Sequence, residues 1–256
     1  MARSLIGGIA ASQGAGTELV VSDPDPDQRR EIAGLAPATT TADNAEAVAG
    51  ADVVVLAVKP QVAPKALAAA APELARGRPL VVSIAAGLRI ARIEEMAGAE
   101  LPVVRAMPNT PALVKRGVSA FFANTRVDDA GRQLAREILE AVGTVIEVGE
   151  EALLDAVTAV SGSGPAYFFL LVEALAEAGA AAGLPADTAA RLAAGTGIGA
   201  MALLDESGET PARLRERVTS PGGTTAAALE VFDRGDLRGL VRRAVLRARE
   251  RAEELS

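Results

Sequence analysis

Up to about residue 150, the chain alternates short runs of aliphatic and β-branched residues with stretches of helical periodicity. The runs predict strands at residues 19–22, 53–58, 80–84, 103–106, 118–122 and 145–148. The stretches between them predict helices at residues 27–34, 44–49, 62–75, 90–97 and 129–142. Because strands that alternate with helices are joined by right-handed crossovers, this pattern predicts a doubly wound α/β fold with a parallel sheet.

The pattern changes near residue 150, where the strand signal ends and Ala-rich helical periodicity begins. We therefore predict a boundary between an α/β domain at residues 1–149 and an all-helical domain at residues 150–256. Residues 167–182 are apolar nearly all round, with only Glu173 and Glu177 interrupting. One small helical domain cannot cover such a helix, so we expect a partner subunit to do so, in a homodimer or a higher homo-oligomer.

Composition excludes several function classes. Acidic residues outnumber basic ones by 33 to 26, and no dense Lys/Arg stripe is present, so nucleic acid is not an expected partner. The chain has no cysteine and no histidine, which removes thiolate nucleophiles, imidazole acid/base pairs and the usual zinc ligands; no metal site is predicted. No secretory signal is recognisable and no apolar stretch is expected to reach membrane-spanning length, so we predict a cytoplasmic location without a membrane partner.

One turn has the composition of an anion site. In residues 220–225, Ser-Pro-Gly-Gly-Thr-Thr, the proline restrains the entry and the glycines permit close backbone approach. Thr224 and Thr225 are predicted to begin a helix whose free amide groups and positive end attract a carboxylate. The same residues also fit an ordinary capped helix after a turn.

Other candidate residues follow predicted strands, at the edge where ligands of doubly wound sheets bind. Lys59 comes directly after the apolar strand at residues 53–58, although a solvated surface lysine fits equally well. Asn44 alone would be interpreted as a helix cap. The chain begins with a helical pattern rather than a strand, and Gly14-Ala15-Gly16 lies before a strand, so we interpret it as a turn and not as a phosphate loop.

Several segments together resemble the pyrroline-5-carboxylate reductase family, in its order and spacing along nearly the whole chain. They are the Ala-Val-Lys-Pro of residues 57–60, the Val-Ser-Ile-Ala-Ala-Gly of 82–87, the Arg-Ala-Met-Pro-Asn-Thr-Pro of 105–111, the Ser-Gly-Ser-Gly-Pro-Ala-Tyr of 161–167 and residues 220–225. The resemblance implies a Rossmann-like dinucleotide-binding domain followed by an all-α substrate-binding and dimerisation domain. It also implies that the first strand and glycine turn of that fold are missing before Met1, so we expect an internal start or a shortened chain.

The resemblance further implies hydride transfer from NADPH or NADH to the C=N bond of 1-pyrroline-5-carboxylate, which gives L-proline. The implied catalytic residues are Thr225, which hydrogen-bonds the ring nitrogen, and Ser220, which assists. The implied substrate-binding residues are Ser220, Gly222, Gly223, Thr224, Thr225 and Glu151. The implied cofactor-binding residues are Ser22, Asn44, Ala57, Val58, Lys59, Pro60, Ile84, Ala85, Ala86 and Asn109.

The choice between the two cofactors stays open. Asp23 follows the strand at residues 19–22, where an acidic residue favours the ribose hydroxyl of NADH. Arg29 and Arg30 nearby are able to pair with the additional phosphate of NADPH.

Two other functions share features of this sequence. A dehydrogenase acting on hydroxy acids or other imines usually presents a lysine or histidine from its helical domain, and this chain lacks both there. A subunit without a working cofactor site, serving only in assembly, would have the same fold but would bind neither NADH nor NADPH.

Overall fold

The computed structural model describes residues 1–12 and 17–256, so the predicted turn at Gly14-Ala15-Gly16 lies outside the described residues. The chain divides into two compact units. The first contains residues 1–163 together with 248–256, and the second contains residues 164–247.

The first unit alternates strands and helices, in agreement with the predicted α/β class. Its strands are β1 (Val20–Ser22), β2 (Thr39–Thr41), β3 (Val53–Leu56), β4 (Leu80–Ser83), β5 (Val103–Met107), β6 (Gly117–Ala123) and β7 (Gly143–Glu147). Its helices are α1 (Ala2–Ser12), α2 (Pro26–Leu35), α3 (Asn44–Val48), α4 (Ala63–Gly77), α5 (Ile90–Ala97), α6 (Asp129–Glu140) and α7 (Leu153–Val157). A 3-10 helix (Thr110–Val114) follows β5, and a π-helix (Thr158–Gly162) follows α7.

The described strands form two sheets rather than one. Strands β1 and β2 pair in parallel, and β3 to β7 form a second sheet in chain order. Within the larger sheet β3, β4 and β5 are parallel, as are β6 and β7, but β6 runs antiparallel to β5. The expectation of a parallel sheet is therefore wrong for β5 and β6. The link between these two strands is short and contains only a 3-10 helix, so it cannot carry the chain back to the edge of the sheet where β5 begins, as a crossover helix does.

Aliphatic packing on both faces of the larger sheet holds the first unit together. Every residue of β4 is buried, including Ser83, as expected for a central strand covered on both faces. One core contains Leu67 and Leu74 of α4 with Ile93 of α5 against one face. On the other face, Leu139 of α6 belongs to the core that contains Phe121. The carboxyl ends of β3, β4 and β5 therefore have fixed positions relative to one another.

The second unit is helical throughout its described residues. It contains α8 (Gly164–Ala181), α9 (Ala186–Ser207), α10 (Pro211–Arg217), α11 (Thr224–Arg234) and most of α12 (Leu237–Glu254), whose last residues belong to the first unit. Helices α8 and α9 pack closely against each other; a side-chain carbon added at Gly179 would lie 3.1 Å from the Cβ of Ala189. Much of the apolar surface of α8 stays exposed in the single chain, including Phe168, Phe169 and Leu170.

One expectation about apolar length needs correction. The helical stretch Leu153–Ala181 has 29 residues and is long and apolar enough to cross a membrane by length and composition, although little of its most apolar window is buried. It was overlooked because the polar residues near 161–163 divide the sequence pattern there, whereas the backbone continues as π-helix and then α8. An exposed apolar helix of this kind also fits a protein interface.

Candidate active site

The turn after β3 lies at the carboxyl edge of the larger sheet. The Val62 amide donates to the Lys59 carbonyl over 2.9 Å and closes a turn that leads directly into α4. Ala57, Val58 and Pro60 are partly buried, whereas Lys59 is exposed. The structure thus places the lysine predicted to contact the cofactor in solvent at the ligand-binding edge of the sheet.

The turn after β4 stands beside the turn after β3. The Ile84 amide donates to the Leu56 carbonyl over 3.0 Å, which extends the pairing of the two strands to their ends. Ala85 is buried, Ala86 is exposed, and Gly87 has a φ of +76°. We name residues 84–89 the β4 turn. The small, exposed Ala86 lies in this turn at the edge of the sheet.

Ser22 and Asn44 meet at the smaller sheet. The Ser22 hydroxyl donates to the Asn44 side-chain oxygen over 2.7 Å, and the Asn44 Nδ2 donates to the Ala66 carbonyl over 3.5 Å. Asn44 is not the cap of α3, because Asp43 occupies that position and accepts from the Ala45 amide. The Asn44 side chain therefore bonds Ser22 and the Ala66 carbonyl instead of capping its own helix.

The side chains that bear on cofactor choice make local contacts. Arg29 donates to the Asp23 carbonyl, and Arg30 forms an exposed ion pair with Asp27. Asp23 itself accepts from the Asp25 amide over 2.9 Å. These contacts favour neither NADH nor NADPH.

Asn109 is buried and its amide is engaged within the first unit. Its Nδ2 donates to the carbonyl and to the hydroxyl of Ser161, over 3.3 and 3.2 Å, and its Oδ1 accepts from the Val118 amide over 2.9 Å. The π-helix also packs closely against the end of β5, since a side-chain carbon added at Gly162 would lie 2.5 Å from the Met107 methyl. The structure thus places Asn109 after β5 as a link between the π-helix and β6.

Glu151 belongs to a buried charged cluster that the sequence pattern did not predict. Its Oε1 accepts from the Ile90 amide over 2.9 Å and from the Arg105 guanidinium over 3.1 Å. Asp155 lies 3.6 Å from both Arg105 and Arg89, and it accepts from the Ser256 hydroxyl over 3.1 Å. Low polarity around these groups strengthens each of the contacts.

The predicted substrate turn has, within the second unit, the backbone geometry that its sequence indicates. Gly222 has a φ of +70°, which few residues other than glycine adopt, and the Gly223 amide donates to the Ser220 carbonyl over 3.0 Å. A side-chain carbon at Gly223 would lie 2.5 Å from the Ser220 hydroxyl. Helix α11 then begins at Thr224, as predicted.

The head of α11 leaves its donors available. The Ala227 amide makes the first bond of the helix, to the Gly223 carbonyl over 3.1 Å, so the amides of Thr224, Thr225 and Ala226 lack helical partners. Gly223 caps the helix without a side chain. Among the residues that the structure describes, no group bonds the Thr225 hydroxyl. Amide donors and a hydroxyl at one helix end suit a ligand with a carboxylate and a neighbouring polar atom.

Sequence reasoning did not identify Ser4. Its hydroxyl is buried without a hydrogen-bond partner among the described residues, in the first turn of α1. A buried hydroxyl without a partner is costly, and a negatively charged ligand at the beginning of a helix would satisfy it. A serine in the first turn of an amino-terminal helix was the signal available in the sequence.

We expect Gly87→Ala to weaken cofactor binding and to destabilise the chain. The added carbon would meet the Leu255 carbonyl at 2.6 Å, in a backbone conformation that alanine adopts only under strain. The β4 turn must shift, at a cost of about 2–4 kcal/mol in unfolding free energy. Denaturant unfolding and NADPH titration measure the two effects. Gly98→Ala is the matched control, because Gly98 also has positive φ but meets no atom within 4 Å.

The fold, together with two family models, defines the class of protein as a nicotinamide-dependent oxidoreductase. Turns at the carboxyl ends of parallel strands are where doubly wound sheets bind ligands, and a helical unit with an open helix head follows. Residues 1–87 match the family model described as NADP oxidoreductase, coenzyme F420-dependent. Residues 151–255 match the model for pyrroline-5-carboxylate reductase dimerisation.

Comparison with individual proteins shows the particular family. The pyrroline-5-carboxylate reductase of Pseudomonas aeruginosa is 48% identical over all of this chain and 93% of its own length. The Synechocystis enzyme of that name is 43% identical, over 96% of this chain and 91% of its own. This chain belongs to the pyrroline-5-carboxylate reductase family.

Solved structures agree with this assignment. The pyrroline-5-carboxylate reductase of Coxiella burnetii superposes with a TM-score of 0.95 at 40% identity, over 100% of this chain and 94% of that one. The Plasmodium falciparum pyrroline carboxylate reductase with NADP bound superposes with a TM-score of 0.83 at 31% identity, over 98% of this chain and 93% of that one. The Rossmann-like sheet and helical second domain expected from the sequence are confirmed.

Proposed function

We propose that the chain reduces 1-pyrroline-5-carboxylate to L-proline with NADPH or NADH. The observation that carries this proposal is the 48% identity to a pyrroline-5-carboxylate reductase over the whole chain. The helix head at Thr224 supports it, because free amides and an unpaired hydroxyl suit a small cyclic imine with a carboxylate. The reaction adds a hydride to the C=N carbon, while the nitrogen carries or gains a proton.

The proposed cofactor-binding residues lie mainly along the strand ends of the first unit. Reduced nicotinamide would supply the hydride when bound. Backbone groups of the β4 turn and of the turn after β3 would hold the dinucleotide, with Ser22 and Asn44 at the smaller sheet. The buried, unpartnered hydroxyl of Ser4 fits a phosphate oxygen at the head of α1. The residues proposed from the sequence for this role are Ser22, Asn44, Ala57, Val58, Lys59, Pro60, Ile84, Ala85, Ala86 and Asn109.

The proposed substrate-binding residues lie at the head of α11. The amides of residues 224–226 would hold the carboxylate, and Gly222 and Gly223 would let it approach the backbone. The Thr225 hydroxyl would hydrogen-bond the ring nitrogen and Ser220 would assist. Because the protonated imine is already electrophilic, alignment and this one bond are the main work left to the protein. Such a reaction requires neither histidine nor cysteine.

A steady-state assay tests the proposal. Purified chain should consume NADPH or NADH only when 1-pyrroline-5-carboxylate is present, and L-proline should accumulate in equal amount. Calorimetric binding of both cofactors is measured beside it. A folded chain that binds cofactor but makes no proline would contradict the reaction, and a folded chain that binds neither cofactor would favour the non-catalytic assembly module.

We also propose that the chain works in the cytoplasm as a homodimer or higher homo-oligomer. The match of residues 151–255 to a dimerisation model supports self-association. So does the side chain of Phe169, which is 68% exposed in the single chain, beside Phe168 and Leu170. A second copy of this face would remove these side chains from water.

We expect Phe169→Glu to dissociate the assembly. A carboxylate buried in an apolar interface is strongly unfavourable, so the dimer dissociation constant should rise by at least about 100-fold. Analytical ultracentrifugation over a dilution series measures this. Leu35→Glu is the control, since Leu35 is a half-exposed residue at the end of α2. A charge at this position should leave the mass of the assembly unchanged. Equal masses for wild type and Phe169→Glu would count against this interface.

A further inference from the structure

A pair of carboxylates holds the β4 turn in place. Helix α5 begins directly after this turn, and its cap residue Arg89 provides no side-chain acceptor. Glu151, 61 residues further along the chain, accepts from the Ile90 amide over 2.9 Å instead. Asp155 reaches the same turn through Arg89, at 3.6 Å. The turn is therefore fixed at its carboxyl end by both backbone and side chain.

Arg105 fixes the two carboxylates in turn. Its side chain is 4% exposed and that of Asp155 is 3% exposed, while Glu151 remains 26% exposed. The guanidinium lies 3.1 Å from Glu151 and 3.6 Å from Asp155. Because Arg105 belongs to β5, in the middle of the larger sheet, its position is set by the sheet itself. The cluster thus transmits the rigidity of β5 to the neighbouring β4 turn.

The contacts of Glu151 are those of a support rather than of a ligand for a small acid. Its Oε1 accepts both the Ile90 amide and the Arg105 guanidinium. A carboxylate held in this way also repels a substrate that carries a carboxylate of its own. The resemblance assigned Glu151 to the substrate, whereas its hydrogen bonds lead to the turn that carries Ile84, Ala85 and Ala86.

We propose that Glu151 is a positioning residue for the dinucleotide, acting through the β4 turn. The inference rests on the proposed function for the identity of the cofactor. Loss of the acceptor frees the amide of Ile90 and the head of α5, so the β4 turn samples positions that do not fit the dinucleotide. The cost therefore falls on cofactor affinity, and the substrate site in the second unit keeps its own residues.

A matched pair of variants tests this role. Glu151→Met fills the same space without an acceptor, and Glu151→Gln keeps an oxygen for the Ile90 amide. We expect Glu151→Met to raise the NADPH dissociation constant and KM about tenfold, the loss of one charge-assisted hydrogen bond. Glu151→Gln should stay within about threefold of wild type, and both variants should keep the KM for 1-pyrroline-5-carboxylate. Calorimetry with NADPH alone gives the affinity without turnover.

Controls separate the possible results. Glu150→Met, at the exposed neighbouring position, should bind NADPH as wild type does. If Glu151→Met does not fold, Glu151→Gln alone distinguishes the two roles. If Glu151 bound the substrate, loss of its charge in Glu151→Gln would raise the KM for the imine. A raised imine KM with unchanged NADPH affinity would overturn the proposal, as would equal affinity in all variants. Wild type that binds NADPH but makes no proline would refute the proposed reaction. The NADPH affinities of the variants would then still test the role of Glu151.

Discussion

Thr225→Val is expected to lower kcat for 1-pyrroline-5-carboxylate reduction by about 100-fold, the scale of losing one preorganised hydrogen bond at the reacting group. Valine keeps the branched shape of threonine and removes only the hydroxyl. That hydroxyl has no partner among the described residues, so its removal leaves no buried group unsatisfied. The N–H of the protonated ring nitrogen would then lack its acceptor while hydride arrives at the adjacent carbon. Steady-state kinetics under saturating NADPH measures the loss.

Two variants isolate the hydroxyl of Thr225. Thr225→Ser restores a hydroxyl at the same position and should recover most of the turnover. Thr224→Val removes the neighbouring exposed hydroxyl but keeps the backbone amide proposed to hold the carboxylate, so kcat should change less than about threefold. Thermal unfolding should be similar for all three. Unchanged kcat in Thr225→Val would refute the assigned role.

The sequence predicted those elements whose burial is expressed in a local pattern. Helix α5 was predicted at residues 90–97 and is observed at Ile90–Ala97, because its apolar positions form one sharp stripe. Strand β2 was missed, since Thr39–Thr41 has no apolar alternation and forms only by pairing with β1. The direction of β6 was also missed, because the pairing partner of a strand is a long-range property.

In the candidate site, too, local features were predictable from the sequence and long-range contacts were not. Residues directly after strands were predictable, because parallel strands bring their carboxyl ends to one edge. The partners of Asn109 and Glu151 were not predictable from local pattern, since Ser161 lies 52 residues away and Ile90 lies 61 residues away. One signal was present in the sequence. Arg105 interrupts an otherwise apolar strand, and a buried arginine requires acidic partners.

Arg105→Met is the second change with a large expected effect, on stability rather than on chemistry. Removing the guanidinium leaves Asp155 buried, with Arg89 at 3.6 Å and the Ser256 hydroxyl as its other contacts. Breaking a buried ion pair on one side costs about 3–5 kcal/mol, because the remaining charge keeps its desolvation penalty. Urea unfolding followed by circular dichroism measures the change, with the m-value tested for constancy.

A double variant distinguishes the buried charge from simple loss of packing. Arg105→Met with Asp155→Leu replaces both partners by apolar side chains and should recover more than about half of the lost free energy. The exposed pair of Arg92 and Glu95 provides the control, since Arg92→Met should change stability by less than about 0.5 kcal/mol. Arg105→Met within about 1 kcal/mol of wild type would mean that Asp155 is already compensated by Arg89 and Ser256. Support of the β4 turn would then depend on Glu151 and its bond to the Ile90 amide.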